Sequence, residues 1–198
     1  MRNKSLLLFI PLLFMVLSSN AQATGTLSDA RDGKTYKTVL IGNQIWMAEN
    51  LNYQTKEGSW CYDDSLKNCN IYGRLYNLET AKNVCPKGWH LPEDSEWKIL
   101  TDFLEGDTIA GSKMKSKEQW LAEYTDLNNN SGFNALPAGS KTNNDGPFWG
   151  IGENAYFWSA TDNDFYTAWE RCIYDNSKRL AKEADHYTFG YSVRCIQD

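Results

Sequence analysis

Residues Tyr72–Leu100 read YGRLYNLETAKNVCPKGWHLPEDSEWKIL, and their pattern predicts two helices joined by a tight turn. In the first half, apolar residues recur at steps of three and four, the spacing that places side chains on one face of a helix. These residues are Leu75, Leu78, Ala81 and Cys85. Pro86 would end that helix, because proline lacks the N–H that a helix interior needs, and Lys87-Gly88 supply the turn.

A second helix is predicted after Leu91-Pro92, and its apolar residues again share one side. They are Trp97, Leu100, Phe103 and Leu104. Glu93, Asp94 and Glu96 crowd its first turn, where the positive end of the helix dipole favours carboxylates.

The N-terminus is typical of a secretory signal peptide. Arg2 and Lys4 precede an apolar run at Leu6–Leu17, and an A-x-A pattern ends at Ala23. We expect cleavage after Ala23 or Ala21, so that residues 1–23 form the signal and residues 24–198 the mature domain. A retained membrane anchor is the alternative, but the run is short for an ordinary span. No later run reaches membrane length, so we expect no span after cleavage and a secreted or extracytoplasmic protein, with attachment to the cell surface left open.

The charge balance argues against nucleic acid and anionic membranes as partners. The net charge of the whole chain is −5, and loss of Arg2 and Lys4 with the signal lowers it to −7. Aromatic residues are abundant, with 8 Trp, 11 Tyr and 8 Phe. Together with many Asn, Asp and Gly residues, this composition indicates a loop-rich exported domain ordered by aromatic packing.

The five cysteines should pair outside the cytoplasm. Cys61 and Cys69 flank a short polar loop, and we predict a bridge between them. We predict a second bridge between Cys85 and Cys195. Cys172 is then left as a buried free thiol within a strand, and a rearranged pairing or an intermolecular bridge is the alternative.

Strand patterns surround the helical region. Thr35–Ile41 is rich in β-branched and aromatic residues, Gly42-Asn43 favours a hairpin turn, and Gln44–Ala48 returns as the partner strand. Further on we predict a short helix within Ile109–Trp120 and a short strand at Phe133–Pro137. Three more strands are predicted, at Tyr156–Thr161, Thr167–Tyr174 and Tyr191–Ile196. The predicted fold class is α+β, with a twisted antiparallel sheet, two helices and a long-loop region.

Several stretches resemble the Fibrobacter succinogenes major paralogous domain family. They are Asp32–Leu51 (DGKTYKTVLIGNQIWMAENL), Gly58–Cys69 (GSWCYDDSLKNC), Tyr72–Tyr76 (YGRLY), Cys85–Trp97 (CPKGWHLPEDSEW), Gly132–Pro137 (GFNALP), Phe157–Thr161 (FWSAT) and Gly190–Cys195 (GYSVRC). The resemblance implies an exported bacterial protein, often surface-associated, in a family whose molecular function is largely unassigned. It also implies a C-type lectin-like fold, in which the two helices and the bridge from Cys85 to Cys195 occupy their expected places.

The chain departs from that pattern in three respects. Glu93 stands where the family usually has Ser or Thr as a helix cap, so we expect Asp94 to take over and shift the helix start by one residue. Cys172 is outside the pattern. The Glu-Pro-Asn and Trp-Asn-Asp triplets that hold calcium and sugar in C-type lectins are absent, so calcium-dependent sugar binding is not implied.

Metal binding has weak support. Asp126, Asn128 and Asn130 have the spacing of an EF-hand loop, but Ser131 and Pro137 stand where glycine and glutamate are required. A looser calcium site, among Asp162, Asn163 and Asp164 or around Asp145, is the alternative to solvated turns. We expect no cofactor.

Catalysis also has weak support, and we expect the protein not to be an enzyme. We expect His90 to pack against the sheet or bind a backbone carbonyl, and we expect His186 to lie in a polar loop without an obvious partner. Cys172 has no flanking residue that indicates an activated thiolate. A formylglycine-generating enzyme is the enzymatic alternative, but its paired cysteines should lie together near the C-terminus, where only Cys195 stands.

The long-loop region is the predicted binding surface, because aromatic faces stack on sugar rings and Asn and Asp bond their hydroxyls. Its candidate ligand-binding residues are Trp149, Trp120, Phe148, Tyr166, Asp162 and Asp164. Trp149 is the strongest candidate for an exposed aromatic ring. We therefore expect a non-catalytic module that binds a polysaccharide or a surface protein, and a structural or adhesive envelope domain without a small ligand is the alternative.

Overall fold

The computed structural model describes residues 24–121 and 128–198. The predicted signal peptide at 1–23 and Asp126 of the EF-hand comparison lie outside the described residues. Within these ranges there are four α-helices, and a 3-10 helix at Tyr62–Asp64 precedes the first of them. They are α1 (Leu66–Tyr72), α2 (Leu78–Ala81), α3 (Asp94–Phe103) and α4 (Asp107–Met114).

The strands outnumber the helices and most are short. They are β1 (Thr24–Ser28), β2 (Thr35–Ile41), β3 (Gln44–Met47), β4 (Ser59–Trp60), β5 (Leu75–Tyr76), β6 (Trp89–His90), β7 (Ala138–Lys141), β8 (Phe148–Ile151), β9 (Asn154–Asp162), β10 (Thr167–Tyr174), β11 (Ala181–His186), β12 (Tyr191–Ser192) and β13 (Ile196–Gln197). The protein is therefore mixed α+β and mostly sheet.

Two sheets share these strands. The smaller sheet has the order β1-β2-β3-β13-β6. The larger sheet has the order β11-β10-β9-β12-β5-β4, and β7 also pairs with β9 while β8 pairs with β7. The pairings are antiparallel except for β12 with β9 and β7 with β9. The predicted β2–β3 hairpin is confirmed, and Gly42 in its turn has the positive φ, 63°, that this position requires.

The predicted strand Tyr191–Ile196 is wrong as one element. Its two ends are separate strands, β12 in the larger sheet and β13 in the smaller, and the residues between them cross from one sheet to the other. Arg194 in this crossing is fully buried, although simple alternation would expose it. Its guanidinium donates to Asn50 Oδ1 at 2.6 Å and to the carbonyls of Met47, Phe133 and Asn134, so it ties the crossing to both neighbouring segments.

The first predicted helix is also wrong. Gly73 has a φ of 77°, which ends α1, and the next residues form β5 between β4 and β12. Only Leu78 and Ala81 of the predicted face lie on a helix, the short α2, whose N-cap is Asn77. Pairing of β5 with a strand more than a hundred residues away overrides the local three-residue spacing.

The second predicted helix is confirmed as α3. Trp97, Leu100 and Leu104 are buried as predicted, but Phe103 is 56% exposed. The expected shift of the helix start is wrong, because Glu93 is the N-cap and its backbone N–H donates to the Glu96 carboxylate at 2.8 Å. The acidic side chain three residues on therefore compensates for a poor capping residue.

The other predicted elements have mixed outcomes. The strand Thr167–Tyr174 is confirmed, Tyr156–Thr161 lies within β9, and α4 supplies the helix expected in Ile109–Trp120. Phe133–Pro137 forms no strand beyond a single bridge between Ala135 and Lys115. Both predicted disulfides are present, Cys61–Cys69 and Cys85–Cys195, and Cys172 is a free buried cysteine in β10.

The principal core lies beneath the long loops. It is centred on four aromatic side chains that are fully or almost fully buried, Trp46, Trp97, Phe133 and Phe157. A second cluster around Tyr76, Trp158 and Tyr191 fills the other face of the larger sheet. Among the residues that the structure describes, no helix has both the length and the apolar character needed to cross a membrane.

Candidate functional site

A polar cleft opens where β4, α2 and the β7–β8 hairpin meet. Gly58 precedes β4 with a φ of 70°, and a Cβ at this position would lie 2.1 Å from the Thr80 hydroxyl oxygen. Only glycine therefore allows the strand to approach α2 this closely. The side chain of Asn77 caps α2 by accepting a hydrogen bond from the Thr80 N–H at 3.1 Å.

The β7–β8 hairpin forms the facing wall. Its turn is ordered by Asn143, whose side-chain oxygen accepts from the Asp145 N–H at 3.1 Å, and by Lys141, whose ammonium donates to the Gly146 carbonyl at 2.6 Å. Asn77 Nδ2 donates to Asn144 Oδ1 at 3.2 Å, which joins the hairpin tip to the start of α2. The cleft is thus built from segments that are distant in sequence but hydrogen-bonded to each other.

We call this feature the acidic cleft. Its main part has a volume of about 630 Å³ and places the half-buried ring of Trp60 among amide and carboxylate groups. These groups belong to Asn77, Asn83, Asn144, Glu57, Glu79 and Asp145. A second part of about 390 Å³ shares Asn77, Glu79 and Asn144 with the first and extends to Tyr187 and Thr188.

The charge of the acidic cleft is negative. Lys82 is the basic residue that lines it within the described ranges, and its ammonium is paired with Asp162 at 2.6 Å. The same ammonium lies 5.8 Å from the centroid of the Tyr187 ring. The carboxylates of Glu57, Glu79 and Asp145 are exposed to solvent.

The turn between β9 and β10 lies beside the Tyr187 end of the cleft. Tyr187 donates its hydroxyl to the Asp164 carbonyl at 2.9 Å and its N–H to the Tyr166 carbonyl at 3.1 Å. Hydrogen bonds from the N–H groups of Tyr166 and Thr167 order the turn and lower the pKa of Asp164. Phe165 and Tyr166, which we call the aromatic tip, are 89% and 67% exposed.

The six ligand-binding residues predicted from the sequence lie in different parts of the structure. Asp162, Asp164 and Tyr166 lie together in the β9–β10 turn, next to the acidic cleft. Trp149 is 65% exposed on β8, but it does not line the cleft. The role of these residues in binding stays a prediction.

The other two predicted aromatic residues are largely engaged in packing. Phe148 packs against Tyr62, with ring centroids 5.2 Å apart, and Lys141 Nζ lies 4.4 Å from its ring. Trp120 packs against the principal core, and Lys115 Nζ lies 4.9 Å from its ring.

Sequence reasoning missed Trp60, Asn77, Asn144 and Tyr187. The Asn-Asp-Gly composition of the β7–β8 turn was a usable signal for a polar tip, but nothing local shows that this tip meets α2. That contact joins residues 67 positions apart.

The histidines have partners that differ from the predicted ones. His90 is hydrogen-bonded to Asp198 at 2.8 Å and to Glu96 at 2.9 Å, rather than to a backbone carbonyl. Burial lowers the pKa of His90, but its hydrogen bonds to Asp198 and Glu96 outweigh burial and raise the pKa overall. His186 is the last residue of β11, and its Nδ1 is hydrogen-bonded to Thr188 Oγ1 at 2.9 Å. It therefore has a partner, although none was evident from the sequence.

Two buried groups in β10 lie away from the cleft. Burial raises the pKa of the Cys172 thiol, so the thiolate that nucleophilic chemistry needs is disfavoured. Burial, followed by the charges of Glu183 and Asp185, also raises the pKa of Glu170 well above its usual range. Neither oxygen of Glu170 has a hydrogen-bond partner within the described part of the chain.

Within residues 24–121 and 128–198, no cluster of three or more His, Cys, Asp or Glu side chains has an arrangement that could hold a metal ion. Asp162 is paired with Lys82, and one carboxylate oxygen of Asp164 accepts two backbone N–H groups. Asp162 and Asp164 are therefore engaged with protein groups, whereas Asp145, the other carboxylate suggested for a loose calcium site, lines the acidic cleft.

The comparisons with known proteins identify a family and no closer relative. Neither the curated proteins nor the solved structures contain a match to this chain. The model of the Fibrobacter succinogenes major domain matches residues 39–197, which include β3 to β13 and all four helices. This protein therefore belongs to the Fibrobacter succinogenes major domain family.

Proposed function

We propose that this protein is an exported, non-catalytic module that binds a glycan in the acidic cleft. The observation that supports this most strongly is that Trp60 lines the acidic cleft together with three amides and three carboxylates. The Lys141 ammonium also lies 5.6 Å from the centroid of the Trp60 ring. The C–H faces of a sugar pack on an aromatic ring, while its hydroxyls both donate and accept hydrogen bonds. Amide and carboxylate groups around one aromatic ring meet both requirements.

Export and a lectin-like fold are part of the same proposal. Two disulfides support an oxidising compartment. The bridge from Cys85 to Cys195 and the helix α3 support the lectin-like assignment. In such an arrangement the acidic cleft is partly walled by the long-loop region, through Asn144 and Asp145.

The absence of catalysis is inferred from the exposure of the cleft carboxylates. A glycosidase needs one carboxylic acid that remains protonated near neutral pH, and enclosure in an apolar pocket is one way to provide it. Glu57, Glu79 and Asp145 are exposed to water and have no such enclosure. We therefore infer that they accept hydrogen bonds from the hydroxyls of a ligand.

The test is retention of the mature domain on insoluble cellulose, xylan, mannan and peptidoglycan, with calcium and then with chelator. We expect retention on at least one matrix, loss of retention in Trp60→Ala, and no release of sugar. Trp149→Ala is the matched control, because it removes an exposed tryptophan outside the cleft. Melting temperatures of both variants separate loss of binding from loss of folding.

The outcomes distinguish the alternatives. No retention on any matrix would favour a protein partner or a purely structural role. Retention that depends on Trp149 but not on Trp60 would move the binding surface to β8. Loss of retention in chelator would show that calcium takes part, and release of sugar would contradict a non-catalytic role.

A further inference from the structure

We propose that the acidic cleft and the aromatic tip form one elongated site, and that its ligand is an internal stretch of a neutral polysaccharide. This inference rests on the proposed function, because it specifies the ligand of that cleft. It is carried by the bonds of Tyr187, by the exposure of Phe165 and Tyr166, and by the charge of the cleft.

Tyr187 connects the two regions. It lines the second part of the cleft, and it is hydrogen-bonded through its hydroxyl to Asp164 and through its N–H to Tyr166. Lys82, on the same wall, is paired with Asp162 at the start of the turn. The segment Asp162–Tyr166, which carries the aromatic tip, is therefore fixed to the cleft wall by three separate contacts.

The aromatic tip is ordered although it is exposed. The N–H of Asn163 donates to the Thr167 carbonyl at 2.9 Å, and Asp164 Oδ1 accepts from the N–H groups of Tyr166 and Thr167 at 2.8 and 2.9 Å. The ring of Tyr166 lies nearly parallel to that of His186, with an angle of 6° between their planes. A ligand that stacks on this tip would therefore lose little further conformational freedom in the protein.

Exposed rings on a rigid turn indicate a contact surface. Phe165 and Tyr166 are adjacent and mostly exposed, whereas the aromatic residues of the principal core are buried. Paired exposed aromatic side chains are unusual on a monomer unless they meet a ligand. Because the Tyr166 carbonyl is hydrogen-bonded to Tyr187, which lines the cleft, a continuing sugar chain is the ligand that both regions would accommodate.

The charge of the site selects against anionic glycans. The main part of the cleft carries Glu57, Glu79 and Asp145, and Lys82 in the second part is neutralised by Asp162. A uronic acid or sulfated sugar would place its negative charge against these carboxylates, which disfavours binding. A neutral chain offers only hydroxyls and C–H faces, and the site has partners for both.

The experiment compares affinity with chain length by calorimetry. The probes are cello-, xylo- and manno-oligosaccharides from disaccharide to hexasaccharide, the neutral polymers hydroxyethylcellulose, arabinoxylan and galactomannan, and anionic polygalacturonate. The proteins are the mature chain, the double variant Phe165→Ala with Tyr166→Ala, and the control Phe103→Ala. Phe103 is an exposed aromatic residue at the far end of α3.

We expect affinity for a neutral glycan to rise with length. The tip variant should bind the shortest active oligosaccharide as the parent does, but bind the long chain about tenfold more weakly, the loss of roughly one aromatic stacking contact. Phe103→Ala should match the parent throughout. Polygalacturonate should bind more weakly than the neutral polymers.

Four results would overturn the inference. A tip variant that binds long chains like the parent would exclude the tip, while the proposed cleft function would stand. A preference for polygalacturonate would exclude a neutral ligand. Absence of binding to every probe by the parent chain would reject both the elongated site and the glycan-binding function, and a tip variant that loses short and long chains equally would show a structural role instead.

Discussion

The aromatic residues of this protein fall into two groups that share a composition but differ in what they contact. The principal core holds Trp46, Trp97 and Phe133 with their rings packed on one another, and the centroids of Trp46 and Trp97 are 4.9 Å apart. Trp60 and Tyr187 instead line the acidic cleft beside amides and carboxylates, although Tyr187 also packs against the second cluster. The ammonium groups of Lys141 and Lys82 lie 5.6 and 5.8 Å from the centroids of these two rings. Aromatic abundance therefore does not indicate binding by itself, and the partners of each ring decide its role.

The largest effect is expected in the core group. Trp97→Ala should lower the free energy of unfolding by about 3–5 kcal/mol, because Trp97 is fully buried and its removal leaves a large cavity. Chemical denaturation measures this loss. Binding per folded molecule should not change, since Trp97 contacts Trp46, Phe133 and Phe157 rather than the cleft. If the folded fraction of Trp97→Ala bound glycan more weakly than the parent, the core and cleft aromatic residues would not have separate roles.

The two disulfides provide a second test of the difference between core and cleft, because removal of each bridge should affect stability and glycan binding to different extents. Removing the bridge Cys85–Cys195 by serine substitution of both residues should destabilise the protein by about 2–5 kcal/mol, because it spans 110 residues. Removing Cys61–Cys69, which spans 8 residues directly after Trp60, should destabilise less but weaken glycan binding more. Melting temperature and retention on the matrix, measured for both double variants, check this order. Equal effects on both properties would contradict it.

The fold was predictable from sequence where short-range chemistry determines it. The β2–β3 hairpin follows from Gly42-Asn43 between two β-rich runs, and α3 follows from its acidic first turn and the spacing of Trp97 and Leu100. The helix predicted through Leu75 does not form, because Leu75 and Tyr76 pair with Ser192 and Tyr191. A local sequence pattern cannot indicate a strand partner that lies more than a hundred residues away.

The candidate site was less predictable for the same reason. Asp162, Asp164 and Tyr166 are adjacent in sequence and were recognisable as a polar aromatic turn. The acidic cleft depends on the meeting of Trp60, Asn77 and Asn144, which come from three separate segments. Composition indicates that such residues exist, but only tertiary structure brings them together.

A further effect depends on pH and concerns a polar group within the buried aromatic region. Glu170 is buried without a partner among the described residues, and its pKa lies well above the usual range, so the folded protein retains this proton when the unfolded chain has lost it. Stability should therefore fall as pH rises above the usual pKa of glutamate, and Glu170→Gln should remove this dependence.

Urea unfolding from pH 5 to 9 measures this effect. The stability of Glu170→Gln relative to the parent should increase with pH by up to about 1.4 kcal/mol per unit. Glu153→Gln is the control, because Glu153 is exposed in the turn between β8 and β9, away from Glu170. Stability curves that stay parallel across the pH range would show that Glu170 does not retain its proton.

The most direct test of the account follows the tryptophan indole N–H resonances by NMR during titration with cello-, xylo- and mannohexaose. Each resonance is assigned by single Trp→Phe substitutions. The account predicts that the Trp60 resonance shifts and saturates with at least one hexasaccharide, while the resonances of exposed Trp149 and buried Trp97 stay in place. A saturating shift of Trp149 with Trp60 unchanged would place the ligand on β8 and contradict the central role of the acidic cleft.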